Sequence, residues 1–158
     1  MAPARAERGV PVSAIAVAES IVEAPLTAAF ARFIDYSYWN AWLPVSMRPM
    51  SGPSRALREG DKLKVTLGNR PLALPAELRV VRVRTDREIC WQANLPGLLR
   101  AEHSYFFSNA DGQTRIRSEE LFAGLLTLGP LAKLIESQAT EHAVQAIAGF
   151  ARHMASLR

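Results

Sequence analysis

The sequence is poor in the features that mark several common classes of protein. Cys90 is the only cysteine among the 158 residues, so the chain by itself forms no disulfide and has no CxxC metal site. No apolar stretch reaches the roughly 18 residues of a membrane span, and the longest candidate, 121–131, is interrupted by Gly129 and Pro130. Residues 1–12 contain no apolar run of signal-peptide length. We expect them to form a disordered leader on a cytoplasmic protein.

The motifs of nucleotide-dependent and zinc-dependent enzymes are also missing. The chain contains no GxGxxG, no GxxxxGK followed by Ser or Thr, no HExxH and no GxSxG. The three histidines, His103, His142 and His153, are too far apart in the pattern to predict a metal cluster. We therefore expect no metal and no other cofactor.

Basic residues only slightly outnumber acidic ones. The net charge is +4, and the densest basic stretch, 79–87, is interleaved with Glu77, Asp86 and Glu88. Such mixing is typical of a solvated sheet face and predicts no nucleic-acid partner. With 49% hydrophobic and 22% charged residues, the composition is that of a globular protein. The length fits one domain, which we assign to residues 13–158.

The chain does contain a long series of period-two segments between two helical ones. A strand is predicted at 13–22, and Pro25 then opens a helix. Between 62 and 122, polar and apolar residues alternate in five segments, which indicates antiparallel strands with short turns. The alternation slips at Val80–Val81 and so predicts a β-bulge. One long helix follows, from Pro130 to about Leu157.

The order of these elements resembles the SRPBCC superfamily, the polyketide cyclase/dehydrase-like and START-related proteins built like the birch pollen allergen. The residues that match its pattern are 22–25, Phe30, Asp35, Trp42, Pro44, Gly60, Leu63, Val65, Ile89, Trp91, His103, Tyr105, Thr114, Ile116, Ser118, Glu120, Phe122 and Gly124. The resemblance implies an α+β helix-grip fold, in which a curved antiparallel sheet wraps around a long C-terminal helix and leaves a cavity. It also implies a small hydrophobic ligand, such as a lipid, sterol or polyketide. A minority of members catalyse cyclisation or dehydration in the cavity.

Polar residues on the inward strand face also favour a cavity. His103, Tyr105, Ser118 and Glu120 are predicted to point inward, where a dry core penalises each unpaired polar group by a few kcal/mol. The alternative is a filled core in which these groups are hydrogen-bonded internally. The side chains predicted to contact a ligand are Trp42, Val65, Leu78, Trp91, His103, Tyr105, Ser118, Glu120, Phe122, Leu134 and Gln138.

The sharpest chemical feature is a predicted pair, His103 and Glu120. Asp111–Gly112 favours a two-residue type I′ turn, and the resulting register puts His103 opposite Glu120 and Tyr105 opposite Ser118. Opposed side chains have Cβ atoms about 5 Å apart, within reach of a hydrogen bond. The pair can act as a general acid and base, or it can fix the two strands as a buried structural pair. Both interpretations stay open at this point.

Three functions fit these observations. The favoured one is a module that binds a small apolar or aromatic molecule. The second is a cofactor-independent cyclase or dehydratase, with His103 and Glu120 as acid and base and Tyr105 orienting a carbonyl. The third is a lipid-handling protein with peripheral membrane contact through 121–131 and an exposed lip of Tyr38 and Trp39. We expect a surface position for His142, and either a monomer or a homodimer.

Overall fold

The structure is a computed structural model that describes residues 14–68, 71 and 73–158. The predicted leader, residues 1–12, lies outside the described residues. Within the described part of the chain, no helix is both long enough and apolar enough to cross a membrane.

Seven strands and three α-helices account for most of the described residues. In chain order they are β1 (Ala14–Val22), α1 (Leu26–Ile34), α2 (Trp39–Trp42), β2 (Met47–Ser51), β3 (Lys62–Leu67), β4 (Leu74–Arg84), β5 (Glu88–Leu95), β6 (Leu99–Ala110), β7 (Gln113–Ala123) and α3 (Leu131–Ser156). The predicted long helix is therefore confirmed to within a residue at each end. Strand β2 was not predicted, because Pro49 interrupts its alternation.

The strands form one antiparallel sheet in the order β1-β7-β6-β5-β4-β3-β2. The predicted turn after β6 is confirmed, since Asp111 and Gly112 both have positive φ angles and Ala110 pairs with Gln113. The predicted bulge in β4 is also confirmed. Val80 pairs with Trp91 and Arg82 with Cys90, so that Val81 is the extra residue.

Aromatic side chains join the helices to the concave face of the sheet. The Phe33 ring of α1 lies 4.9 Å from Trp42 of α2, 4.7 Å from Tyr105 of β6 and 5.1 Å from Phe150 of α3, measured between ring centroids. Gly149 allows the backbones of α2 and α3 to approach, because a Cβ at that position would lie 2.2 Å from the Trp42 carbonyl oxygen. These contacts fix the C-terminal half of α3 against the core.

The two halves of α3 are packed differently. The second half buries its inward residues completely or nearly so, namely Ala143, Ala146, Ile147, Gly149, Phe150 and Met154. In the first half Leu131 and Leu134 are about half exposed and Gln138 is exposed, while Ile135 and Ala139 contact a small cluster around Phe122. The first half of α3 therefore covers the sheet only loosely.

Candidate ligand-binding site

His103 lies near the centre of a row of inward residues that crosses five strands. The pairing runs from Val80 of β4 through Trp91, His103 and Glu120 to Ala16 of β1. The predicted opposition of His103 to Glu120, and of Tyr105 to Ser118, is confirmed by this register. The turn at 111–112 joins β6 to β7 and sets their register, so two turn residues determine which side chains meet further along both strands. We call His103, Tyr105, Ser118 and Glu120 the polar cluster.

Both ring nitrogens of His103 face polar neighbours. The Nε2 atom lies 2.7 Å from the Ser118 hydroxyl oxygen, a hydrogen-bond distance, whereas Nδ1 lies 3.7 Å from a carboxyl oxygen of Glu120. The second distance is too long for a hydrogen bond. The ring also stacks on Tyr105 with centroids 4.4 Å apart and meets Trp91 at 5.4 Å. The imidazole is thus held by the rings of Tyr105 and Trp91 and by the Ser118 hydroxyl, and its Nδ1 edge faces the Glu120 carboxyl group.

Burial keeps the polar cluster uncharged at neutral pH. It lowers the pKa of His103 to about 3, with a smaller contribution from the positive form of His142. It raises the pKa of Glu120 to about 8. Burial likewise raises the pKa of Tyr105, as does the Glu120 carboxylate, while a hydrogen bond with Ser118 opposes the shift. His103 and Glu120 are therefore a neutral imidazole and a neutral carboxylic acid, and no ion pair forms between them at pH 7.

Helix α3 brings a further polar group toward this cluster. His142 is half-buried rather than on the surface, and its Nδ1 lies 2.9 Å from the hydroxyl oxygen of Ser46, just before β2. Burial lowers the pKa of His142, and the protonated form of His142 in turn lowers the pKa of His103. The expectation of a surface position was wrong because α3 turns this face toward the sheet where its two halves meet. Nothing in the sequence pattern singles out Ser46.

The polar cluster lies between two apolar clusters. One is the main core, which contains Trp91 and Tyr105. The other is small: Ala16 and Phe122 are its buried residues, and Leu99, Ala101, Ile135 and Ala139 pack on it. Three of these six residues are alanines, so half of the side chains between the sheet and the first half of α3 are short.

The structure divides the predicted contact residues into three groups. His103, Tyr105, Ser118, Glu120 and Trp91 come together as expected, with Phe122 beside them in the small cluster. The other aromatic and aliphatic candidates, Trp42, Val65 and Leu78, are buried in the main core. Leu134 and Gln138 lie on the exposed part of α3.

The predicted aromatic lip is half wrong. Trp39 is fully buried, and its indole N–H donates a 2.9 Å hydrogen bond to the carbonyl oxygen of Phe33. Tyr38 is exposed, with the guanidinium of Arg32 stacked 3.7 Å above its ring. The burial of Trp39 follows from α1, whose last turn offers both an apolar face and a carbonyl without a partner inside the helix.

Two surface grooves among the described residues lie away from the polar cluster. One shallow groove runs along α3 beside Lys133 and Glu141, and another lies between 41–45 and the C-terminal half of α3. His103 and Glu120 line neither, and an enclosed cavity stays a prediction. The described residues contain no group of three or more His, Cys, Asp or Glu side chains placed to hold a metal ion.

Solved structures supply the comparison with known proteins. No family model and no curated protein matches the sequence. TTHA0849 from Thermus thermophilus is similar over 90% of this chain and 98% of its own, with a TM-score of 0.73 and 13% identity. Ara h 8.0201 is similar over 94% and 99%, with a TM-score of 0.68 and 14% identity. DynU16, from the dynemicin biosynthetic locus, is similar over 91% of this chain and 48% of its own, with a TM-score of 0.64 and 10% identity.

These likenesses, together with the curved antiparallel sheet and the long C-terminal helix, define the class of fold. The chain has an α+β helix-grip fold, the architecture that the order of sequence elements implied. At identities of 10–14%, the shared property is the fold.

Proposed function

We propose that the protein binds a small hydrophobic or aromatic molecule between the sheet and the first half of α3. The observation that carries this proposal is the neutral polar cluster at the edge of the main core. A structural role alone does not require a partly buried carboxyl group whose nearest imidazole nitrogen is 3.7 Å away, beyond hydrogen-bond length. A ligand oxygen beside Glu120 would contact the carboxyl group and complete its hydrogen bonding.

The protonation states indicate the chemistry of the ligand. Neutral Glu120 offers an O–H donor, and neutral His103 presents no charge. The polar cluster contains no Lys or Arg, so it offers no fixed cation to a carboxylate ligand. We therefore infer a ligand with a ketone, ester or phenol oxygen on an apolar skeleton. The electrostatic effect of His142 on His103 supports His142 as a further contact for the same group.

Two further points support a small-molecule ligand, which we propose is bound in the cytoplasm. The similarity to a protein of the dynemicin biosynthetic locus is compatible with a polyketide-like ligand. The alanines of the small cluster leave short side chains where a ring system would lie.

A second candidate is a cyclase or dehydratase, and the pKa of Glu120 favours it. A carboxyl group with a pKa of about 8 holds its proton at neutral pH and can donate it to a carbonyl or a leaving hydroxyl. His103 is a poor base because its pKa is about 3. In this version Glu120 is the general acid and His103 is a positioning residue. Tyr105 can orient the substrate carbonyl only if its phenol gives up the hydrogen bond with Ser118.

Titration with prodan, a neutral aromatic ketone whose emission reports on hydrogen bonding, tests the binding proposal. The wild type should bind one dye per chain, and Ala139→Trp should weaken binding at least tenfold by filling the space against Phe122. Ala155→Trp, an exposed position on the same helix, is the matched control and should change nothing. Glu120→Leu should shift the bound emission to the blue because it removes the donor. Unchanged binding by a folded Ala139→Trp variant would place the dye elsewhere and contradict the proposal.

A further inference from the structure

One end of the molecule is unusually rich in exposed leucine. Six of the eight exposed leucines among the described residues lie there, and their exposed fractions range from 48% to 64%. They are Leu95, Leu98, Leu125, Leu128, Leu131 and Leu134, which we call the leucine end. An apolar concentration of this kind on a protein surface marks a contact site more often than chance scatter does.

Three parts of the fold build the leucine end, and only the last two follow each other in the chain. The β5–β6 turn contributes Leu95 and Leu98, the segment before α3 contributes Leu125 and Leu128, and the first turn of α3 contributes Leu131 and Leu134. The turn and the segment are joined directly, since the backbone N–H of Leu126 donates a 3.1 Å hydrogen bond to the carbonyl of Leu98. The leucines are therefore presented by one connected surface.

The segments that carry these leucines are basic, and acidic residues begin just outside them, at Glu102, Glu120 and Glu136. Segments 93–101 and 121–135 contain Arg100 and Lys133 and no acidic residue. Both cations are exposed, and neither forms an ion pair with a described residue. Unpaired cations beside exposed leucines are the combination found on surfaces that lie at the interface of an anionic bilayer.

We infer that the leucine end docks on the surface of a membrane containing anionic lipids. The leucines enter the boundary between headgroups and acyl chains while Arg100 and Lys133 contact lipid phosphates. A second copy of the chain is a poorer occupant, because a twofold contact between leucine ends would bring four like charges together, two from each copy. The sequence predicts membrane contact through 121–131. The proposed surface adds the β5–β6 turn and the first turn of α3, and it leaves out Trp39, which is buried. This inference does not depend on the proposed ligand.

Co-sedimentation with vesicles tests the inference. The wild type should bind vesicles of phosphatidylcholine and phosphatidylglycerol in equal parts, and should bind pure phosphatidylcholine much less. Leu98→Ser with Leu128→Ser should lower partitioning at least tenfold. Arg100→Gln with Lys133→Gln should lower it about fivefold per cation and reduce its sensitivity to salt. The matched control is Met50→Ser with Leu74→Ser, which removes equally exposed apolar groups at another edge and should change nothing.

A second readout guards against variants that lose structure. Leu128→Trp places an indole at the leucine end, and brominated lipids should quench its emission only in anionic vesicles. Equal binding to both kinds of vesicle, or an equal loss in the Met50/Leu74 control, would overturn the inference. Light scattering provides a further check. If the wild type is a dimer, the Leu98/Leu128 variant is a monomer and neither protein binds vesicles, then the leucine end is a contact between two copies and the inference is overturned.

Discussion

Replacing Glu120 by Gln should make the stability of the protein much less dependent on pH. Gln is close in shape to the protonated carboxyl group, so it preserves the neutral form that the structure favours. The folded protein holds the proton of Glu120 up to a pKa of about 8, whereas the unfolded chain releases it near the ordinary value of 4.5. The wild type therefore loses stability as pH rises between these two values, and the variant does not.

The size of this effect follows from the pKa difference. One pKa unit corresponds to about 1.4 kcal/mol, so the full shift of Glu120 corresponds to about 5 kcal/mol. Between pH 5 and pH 8, roughly 3 kcal/mol of the free energy of unfolding should disappear in the wild type relative to Glu120→Gln. His103 has a lowered pKa and stabilises the folded state as pH rises to about 6.5, but this contribution is common to both proteins and cancels in their difference.

Urea unfolding at a series of pH values from 5 to 8 measures the difference directly. Glu136→Gln, on the exposed face of α3, serves as the control for removing one carboxylate. A flat difference between wild type and Glu120→Gln would show that the carboxyl group is already ionised at pH 5 and would refute the reasoning. A difference that is flat from pH 5 to about 6.5 and in which the wild type loses stability only above that pH would indicate an ion pair with a protonated His103 instead.

Two further substitutions test the packing around the site. His103→Ala should lower the free energy of unfolding by about 2–4 kcal/mol, because it removes the stacking on Tyr105 and the hydrogen bond with the Ser118 hydroxyl. A double-mutant cycle with Glu120→Leu should give a coupling energy below about 1 kcal/mol, because neither group is charged. A coupling of several kcal/mol would restore the interpretation as a buried structural pair. Gly124→Ala should cost about 2–4 kcal/mol in thermal or urea unfolding, since its φ is +122° and a Cβ would lie 2.5 Å from the Leu98 carbonyl oxygen. Gly129→Ala, also at positive φ but in open space, should cost only about 1 kcal/mol, and equal losses would contradict the clash.

The strand register was predictable because it depends on local signals. Asp111 and Gly112 specify their turn almost alone, and once the turn is placed the period of two assigns every residue of β6 and β7 to a face. The bulge at Val81 was visible for the same reason, since an extra residue shifts the phase of the pattern. Strand β2 left no such signal, because Pro49 and Met50 do not alternate in polarity and the strand is held by pairing with β3.

Side chains that meet across distant elements were harder to predict. His142 lies 96 residues from Ser46, and their contact depends on where α3 crosses the end of α2. Val65 and Leu78 lie on strands and Trp42 on α2, and the sequence does not say how deeply the helices fill the space over the sheet. Phe33 of α1 packs on Trp42, and all three positions belong to the main core.

The protonation state of the His103 and Glu120 pair was the property hardest to predict from the sequence. Opposed positions on two strands are compatible with an ion pair, a hydrogen-bonded pair or two neutral groups. The choice depends on the desolvation of each group, which is set by α3, by the aromatic residues and by His142. Because burial shifts the pKa of an acid upward and that of an imidazole downward, both groups become neutral in the same environment. A pattern that indicates an acid and a base in the sequence therefore becomes, in the folded protein, a proton donor beside an uncharged ring.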